Sequence, residues 1–352
     1  MRIRMRGLAL IGAVSVAAGV AACTPEPREI AMPDYENPQM SGQSGDQSGG
    51  NPNLLASAPV LDDAQIGRIV SGAQTALDEA SENMDPEALK TRLTGPALAL
   101  RTAEIIRAQK TGDVLNPLEI ELNVASATVA ETFPRTLLVG TSASKDDPAE
   151  VFLFVQPDAK SHYMMENWVR VVGGTTIRGV EVEDGSKPLG PDSEGFLVTP
   201  AEAVDAYTAF LRGEEVKVTF QDDVFKPAQA DETSKLQKAV VDVGTITPNA
   251  AKNDSTPTGV TLSSGQGLIS ASFNTTIKYQ RTVAKSKMKV GGTAAAYMDN
   301  TDVVGSVTAN YLVNIFFLLP QEGAEEPIRI VGAERAIVSV DKNDAEKPEG
   351  EE

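Results

Sequence analysis

Cys23 is the only cysteine in the chain, so the fold must be held without a disulfide. The residues before it show why this matters. Arg2, Arg4 and Arg6 lead into an apolar run from Gly7 to Ala22, and the small residues Ala21 and Ala22 stand directly before the cysteine. A basic start, an apolar stretch too short for an ordinary membrane span and a small-residue cut site predict a secretory leader over residues 1–22. Outside the cytoplasm, small domains often rely on disulfides. This chain must bury a sizeable apolar core instead, and the about 330 residues after the leader suffice for two domains.

The tetrapeptide Val20-Ala21-Ala22-Cys23 resembles the lipobox of bacterial lipoproteins. The resemblance implies that the thiol of Cys23 is diacylated and the leader cut before it. Cys23 is thus the candidate lipidation site, and the chain is expected on the extracytoplasmic face of the cell membrane, held by its N-terminal acyl anchor. Lipidation also rules out a thiolate metal cluster or a cysteine nucleophile. The formal net charge is −18, and losing the three leader arginines makes the mature chain more negative still. Such a surplus opposes nucleic acid and anionic headgroups, so nucleic acid is excluded as a partner and the acyl chains must supply the membrane attachment. No second segment approaches the roughly 20 apolar residues of a transmembrane helix.

Residues 23–57 read as a lipidated, disordered stalk. Ser41-Gly42-Gln43-Ser44-Gly45-Asp46-Gln47-Ser48-Gly49-Gly50 holds nothing able to build a core, and Gly/Ser chains of this length reach roughly 30 Å. Helices follow. Asp62 with Gln65 makes a capping box, and Ile66, Ile69, Val70, Ala73, Ala76, Leu77 and Ala80 recur at helical spacing. Asp85-Pro86 predicts a second short helix. Gly95-Pro96 opens a third that ends near Gly112.

The period then changes. Leu118 to Val124 alternates apolar and polar residues, as a half-buried strand does, and 135–140, 150–155 and 167–172 read as further strands. No helical pattern separates them, so the sheet is expected to be antiparallel. The same order then recurs. Thr199-Pro200-Ala201-Glu202 caps a helix carrying Val204, Tyr207, Phe210 and Leu211, a second helical stretch covers about 220–241, and strands are expected at 259–262, 267–279, 288–298, 306–319 and 328–340. The class is α+β, with two consecutive helices-then-sheet domains at 58–190 and 197–341. Residues 342–352 form a charged tail expected to fray. By element order, each block is similar to the cystatin-like, or NTF2-like, cone fold.

Pro134-Arg135-Thr136-Leu137-Leu138-Val139, the turn Val155 to Tyr163, Trp168 with its Gly173-Gly174 turn, Thr199 to Leu211 and Leu262 to Ile269 together resemble an uncharacterised actinobacterial lipoprotein family. His162 stands where that family's turn carries proline. The family implies no reaction, so it carries no catalytic residue or cofactor to this chain.

Fragments that mimic catalytic motifs fail on context. Ser142-Ala143-Ser144-Lys145, Lys110-Thr111-Gly112 and Ser272-Phe273-Asn274 match penicillin-binding motifs loosely, but the serine and lysine must share a helical turn, and here the tetrapeptide follows a strand. Ser264-Gly265-Gln266-Gly267 precedes a strand instead of opening a helix, so it reads as a hairpin turn. His162 is the only histidine and reads as a turn residue. Asp184, Ser186, Asp192 and Glu194, and the pair Asp222-Asp223, lack calcium-loop spacing, so no metal site is predicted. Tyr207, Tyr279, Tyr297, Tyr311 and Asn314 could face a cone-shaped pocket, although buried tyrosines usually have ordinary hydrogen-bond partners. Phe316-Phe317-Leu318-Leu319 is apolar on both faces: one face packs on helices, and the other lines a cavity, meets the companion domain or serves a partner.

These readings predict a non-enzymatic, lipid-anchored binding or scaffolding protein of the bacterial envelope, without a cofactor. Its partner would be an envelope protein or a hydrophobic ligand. The alternatives are a carrier with an apolar cavity and a proton-transfer enzyme with a raised-pKa acid beside a tyrosine.

Overall fold

Capping chemistry places the first helices. Both halves of the Asp62–Gln65 box form, at 2.7 and 2.8 Å, and open helix α1 (Asp63–Asn83). The computed structural model describes residues 60–350 apart from 130–131, 145–146, 178, 181–184 and 222. The leader, Cys23 and the 23–57 segment therefore lie outside the described residues. A single 3-10 stretch, Pro86–Thr91, leads to α2 (Gly95–Thr111), which stops where Gly112 turns left-handed at φ 74°. The stripe Ile66, Val70, Ala73, Leu77 and Ala80 of α1 joins Leu89, Leu93, Ala97, Leu100 and Ile105 in one buried cluster.

That cluster is completed by an antiparallel sheet of β1 (Val124–Ala127), β2 (Arg135–Gly140), β3 (Glu150–Gln156) and β4 (Met164–Arg170), in the order 1-2-3-4. Leu137, Val139, Phe152, Phe154 and Trp168 face the helices. The opposite face, with Leu138, Val151, Leu153 and Val169, is buried against a second sheet. Burial on both faces explains why β3 reads as a continuous apolar run.

The second half supplies β5 (Pro188–Leu189), α3 (Pro200–Leu211), β6 (Phe220–Gln221), α4 (Phe225–Val240), β7 (Gly244–Lys252), β8 (Thr258–Thr261), β9 (Gly267–Arg281), the short α5 (Gly292–Ala295), β10 (Ser306–Leu319) and β11 (Ile328–Asn343). The sheet order is β5-β8-β9-β10-β11-β6, with β7 also on β9, and only β6–β11 is parallel. Central β10 shows the period of two on both faces. Val313, Ile315, Phe317 and Leu319 pack with α3 residues Ala203, Val204 and Tyr207. Phe316 and Leu318 meet the first sheet, while Leu312 joins the α1–α2 cluster. The apolar run 316–319 thus meets the companion sheet. Where β11 passes β4, Gly332 is needed for space: a Cβ there would stand 2.1 Å from the Arg170 carbonyl oxygen.

The observed class is mixed α+β, with two largely antiparallel sheets and helices beside them. Four segments differ from the sequence expectation. Residues 118–121 alternate in burial, with Leu122 exposed, and they do not join a ladder, because the Ile120 N–H is taken by the side chain of Gln74 at 2.8 Å. Residues 288–298 make one bridge, Lys289 to Asp302, and the α5 turn, since Gly291-Gly292 and three alanines do not sustain a strand. β7 carries Pro248, which cannot donate to a ladder, and accordingly lies at an edge with its one partner, β9. The described part of the expected tail is seated on the sheet: β11 runs to Asn343, Glu346 pairs with Lys278 at 2.6 Å, and Pro348 is buried.

Candidate functional site

Most of the residues singled out by sequence lie on separate elements. His162 is exposed in the turn before β4. Ser142, Lys110 and Ser272 sit on a loop, the end of α2 and the middle of β9, and Lys145 lies outside the described residues. The Ser264–Gly267 segment closes the β8–β9 hairpin, with Gly265 at φ 81° and its N–H donating to the Leu262 carbonyl at 2.9 Å. Ser186 bonds to Ser126 at 2.9 Å, deep in the first sheet, while Asp192 and Glu194 are exposed; Asp184 and Asp222 lie outside the described residues. Among the described residues, no three His, Cys, Asp or Glu side chains group as metal ligands.

The tyrosines are packed. The Tyr207 hydroxyl donates to Asp223 at 3.0 Å, within edge-on contacts to Phe220, Phe273 and Phe317 at ring distances of 5.1, 5.8 and 5.4 Å. Asp223 also accepts the N–H groups of Phe225 and Lys226, at 2.9 and 3.1 Å, and so holds the start of α4. Tyr297 donates to the Ile337 carbonyl at 3.3 Å, and Arg335 lies over the Tyr311 ring at 4.3 Å. Burial pushes Tyr279 up to about 12. Asn314 is fully buried and points its amide at the Pro96 carbonyl, 3.4 Å away on α2.

A polar cleft of about 420 Å³ opens where the 116–121 segment passes the end of the first sheet. Glu119, Glu121, Thr141, Ser144, Asp147, Glu150 and Arg170 line it. Register builds its floor: Glu150 begins β3, Arg170 ends β4, and the antiparallel ladder sets them opposite each other, with 3.4 Å between charged atoms. Arg170 also reaches Glu334 of β11 at 3.2 Å, donates to the Pro117 carbonyl at 3.2 Å and lies over the Trp168 ring at 5.1 Å. The rim is equally tied, since Ser144 and Asp147 exchange bonds of 2.9 to 3.2 Å, and the Glu150 N–H donates to the Thr141 hydroxyl at 2.8 Å.

Burial dominates the electrostatics. It lifts Glu150 to about 7, against the pull of Arg170, and raises Glu334 as well. No sequence signal marks this site, because a glutamate at one strand start and an arginine at another strand end become partners only once the register is known.

Glu166 on β4 is the other displaced carboxylate. Burial alone lifts it to about 7, and its Oε2 is buried without a partner among the described residues. A carboxyl whose folded value is raised contributes fully at pH below the ordinary value of 4.5, and that contribution is lost as pH climbs through 7. Glu166→Gln is therefore expected to be near neutral at pH 4.5 and to stabilise the protein by about 2 kcal/mol at pH 8. Urea melts of both proteins at the two pH values check this; a stability difference that is the same at both would refute the buried-charge account.

The model of a family described as Domain of unknown function (DUF8094) matches residues 57–342. No curated protein and no solved structure matches the chain.

Proposed function

We propose, from the premise that the chain belongs to the DUF8094 family, that it is a non-catalytic, lipid-anchored binding or scaffolding protein on the extracytoplasmic face of a bacterial membrane. The leader and Cys23 support the location. The 420 Å³ cleft carries the binding half of the reading. Its floor and rim groups Thr141, Ser144, Asp147, Glu150 and Arg170 bond to one another, so with Glu119 and Glu121 it offers a preformed, mostly acidic surface. Such a surface focuses a negative potential and suits a partner that presents cationic or hydroxyl groups. This lining favours a polar partner over the apolar cargo of a carrier. The α1–α2 layer on the four-stranded sheet and the α3 layer on the seven-stranded one support reading the body as two NTF2-like halves.

The test begins with residues 24–352, secreted without the lipid from a related host and weighed by native mass spectrometry. The expected result is a bare mass, together with an envelope protein crosslinked in intact cells and lost in Glu119→Lys/Glu121→Lys. A co-purifying apolar mass released on denaturation would replace this reading with the carrier.

A further inference from the structure

Beyond the leader, acidic residues are spread along the chain except in one long stretch. Between Asp254 and Asp299 there is no Asp or Glu, while Lys278, Arg281, Lys285, Lys287 and Lys289 all fall there. In a chain of net charge −18, that is a local reversal of sign.

The fold gathers part of this stretch into a second cleft, of about 430 Å³, between the β9–α5 connection and the C-terminal segment. Lys287 and Lys289 are exposed and alternate with Met288 and Val290, each 3 % exposed. The apolar pair is pinned by backbone bonds of 2.9 Å, from the Val303 N–H to the Met288 carbonyl and from the Val290 N–H to the Thr301 carbonyl. Strand-like alternation on an anchored backbone turns both amines outward. Lys347 enters from the other wall, its position set by the Glu346–Lys278 pair at 2.6 Å and by buried Pro348. Arg281 forms the floor, its guanidinium donating to the Val304 carbonyl through Nε at 2.8 Å and through Nη2 at 2.5 Å, and to the Ser286 carbonyl at 3.3 Å. Among the described lining residues Asp302 is the only acid, and it is 3.5 Å from Lys289.

We propose that this cleft seats the phosphate headgroup of an anionic phospholipid, so that the body leans on the membrane to which Cys23 tethers it. The membrane half of the claim rests on the lipid-anchored reading. A long polyanion is disfavoured by the negative charge of the remaining surface. A cleft of this size suits a single compact anionic group. Clustered lysines recognise phosphate as point charges, without the fixed geometry that an arginine fork demands.

The test uses residues 24–352, which hold the whole described body and lack the acyl group. Co-sedimentation is measured with phosphatidylcholine vesicles, with and without phosphatidylglycerol, at low and raised salt. Binding is expected only to the anionic vesicles, weakening with salt and falling about tenfold in Lys287→Glu/Lys347→Glu. The same charge change on α4, Lys235→Glu/Lys238→Glu, is expected to leave it intact, with matched thermal melts showing that all variants fold. Equal binding to neutral vesicles, indifference to the cleft variant or no sedimentation at low salt would overturn the proposal. Protection of Lys287 by inorganic phosphate without vesicle binding would also overturn it, in favour of a soluble phosphate. Because the probe chain carries no lipid, these failures are distinguishable from a failure of the anchor.

Discussion

Replacing Cys23 with alanine is expected to abolish incorporation of labelled fatty acid into the chain, and a version made from a cleavable leader fused to residues 24–352 is expected to leave the membrane at physiological salt. The effect on labelling should be all or none, because Cys23 is the only cysteine. Each buried methylene of an acyl chain contributes about 0.8 kcal/mol, so two chains hold a protein where one binds reversibly. Among the described residues no helix is long and apolar enough to cross a membrane. The net charge of −18 works against anionic lipid, and at physiological salt the few cations of the Lys287 cleft orient a tethered body without retaining a free one. Intact mass of the purified N-terminal peptide provides the check. An unmodified Cys23 in the native protein, or continued labelling of Cys23→Ala, would remove the anchor from the account.

Local chemistry was readable and non-local chemistry was not. The Asp62–Gln65 and Thr199–Glu202 boxes were legible because a capping box is settled within four residues, and both helices start there. β10 was legible to its ends, Ser306 and Leu319, since its apolar residues run on both faces from Val307 to Leu319 with only Thr308, Asn310 and Asn314 among them. β7 was hidden by Pro248, and only its edge position makes that proline acceptable. The alternation is a true burial pattern only over 118–121, since Leu122 is exposed, and its hydrogen-bond partner is Gln74 on α1, a contact that no periodicity announces. The sites were least legible of all. Glu150 meets Arg170 through strand register, and Glu334 joins them only because β11 passes β4 at Gly332. The basic cleft likewise needs Lys347 brought back by a segment that composition alone marks as a fraying end.

Arg170→Ala is expected to cost about 3 kcal/mol at pH 8, enough to lower the melting temperature by several degrees. The variant leaves two mostly buried carboxylates, Glu150 and Glu334, without the guanidinium that holds them at 3.4 and 3.2 Å. Removing one partner of a buried ion pair typically costs about 3 to 5 kcal/mol, and the lower end applies because Arg170 keeps 23 % of its side chain exposed. The pH dependence separates this cause from lost packing over Trp168. Burial already raises both acids, and Arg170 opposes that rise. Without Arg170 their folded values climb further above the unfolded value. The variant is then penalised most where the carboxyls must ionise, above pH 7, and least below about pH 4.5, where both are protonated in either state. Urea melts should accordingly show the deficit shrinking to about 1 kcal/mol at pH 4, the remainder being the bond to the Pro117 carbonyl and the contact with the indole. A deficit that holds constant from pH 8 to pH 4 would mean that Arg170 acts through its packing, and the cleft floor would lose its electrostatic rationale.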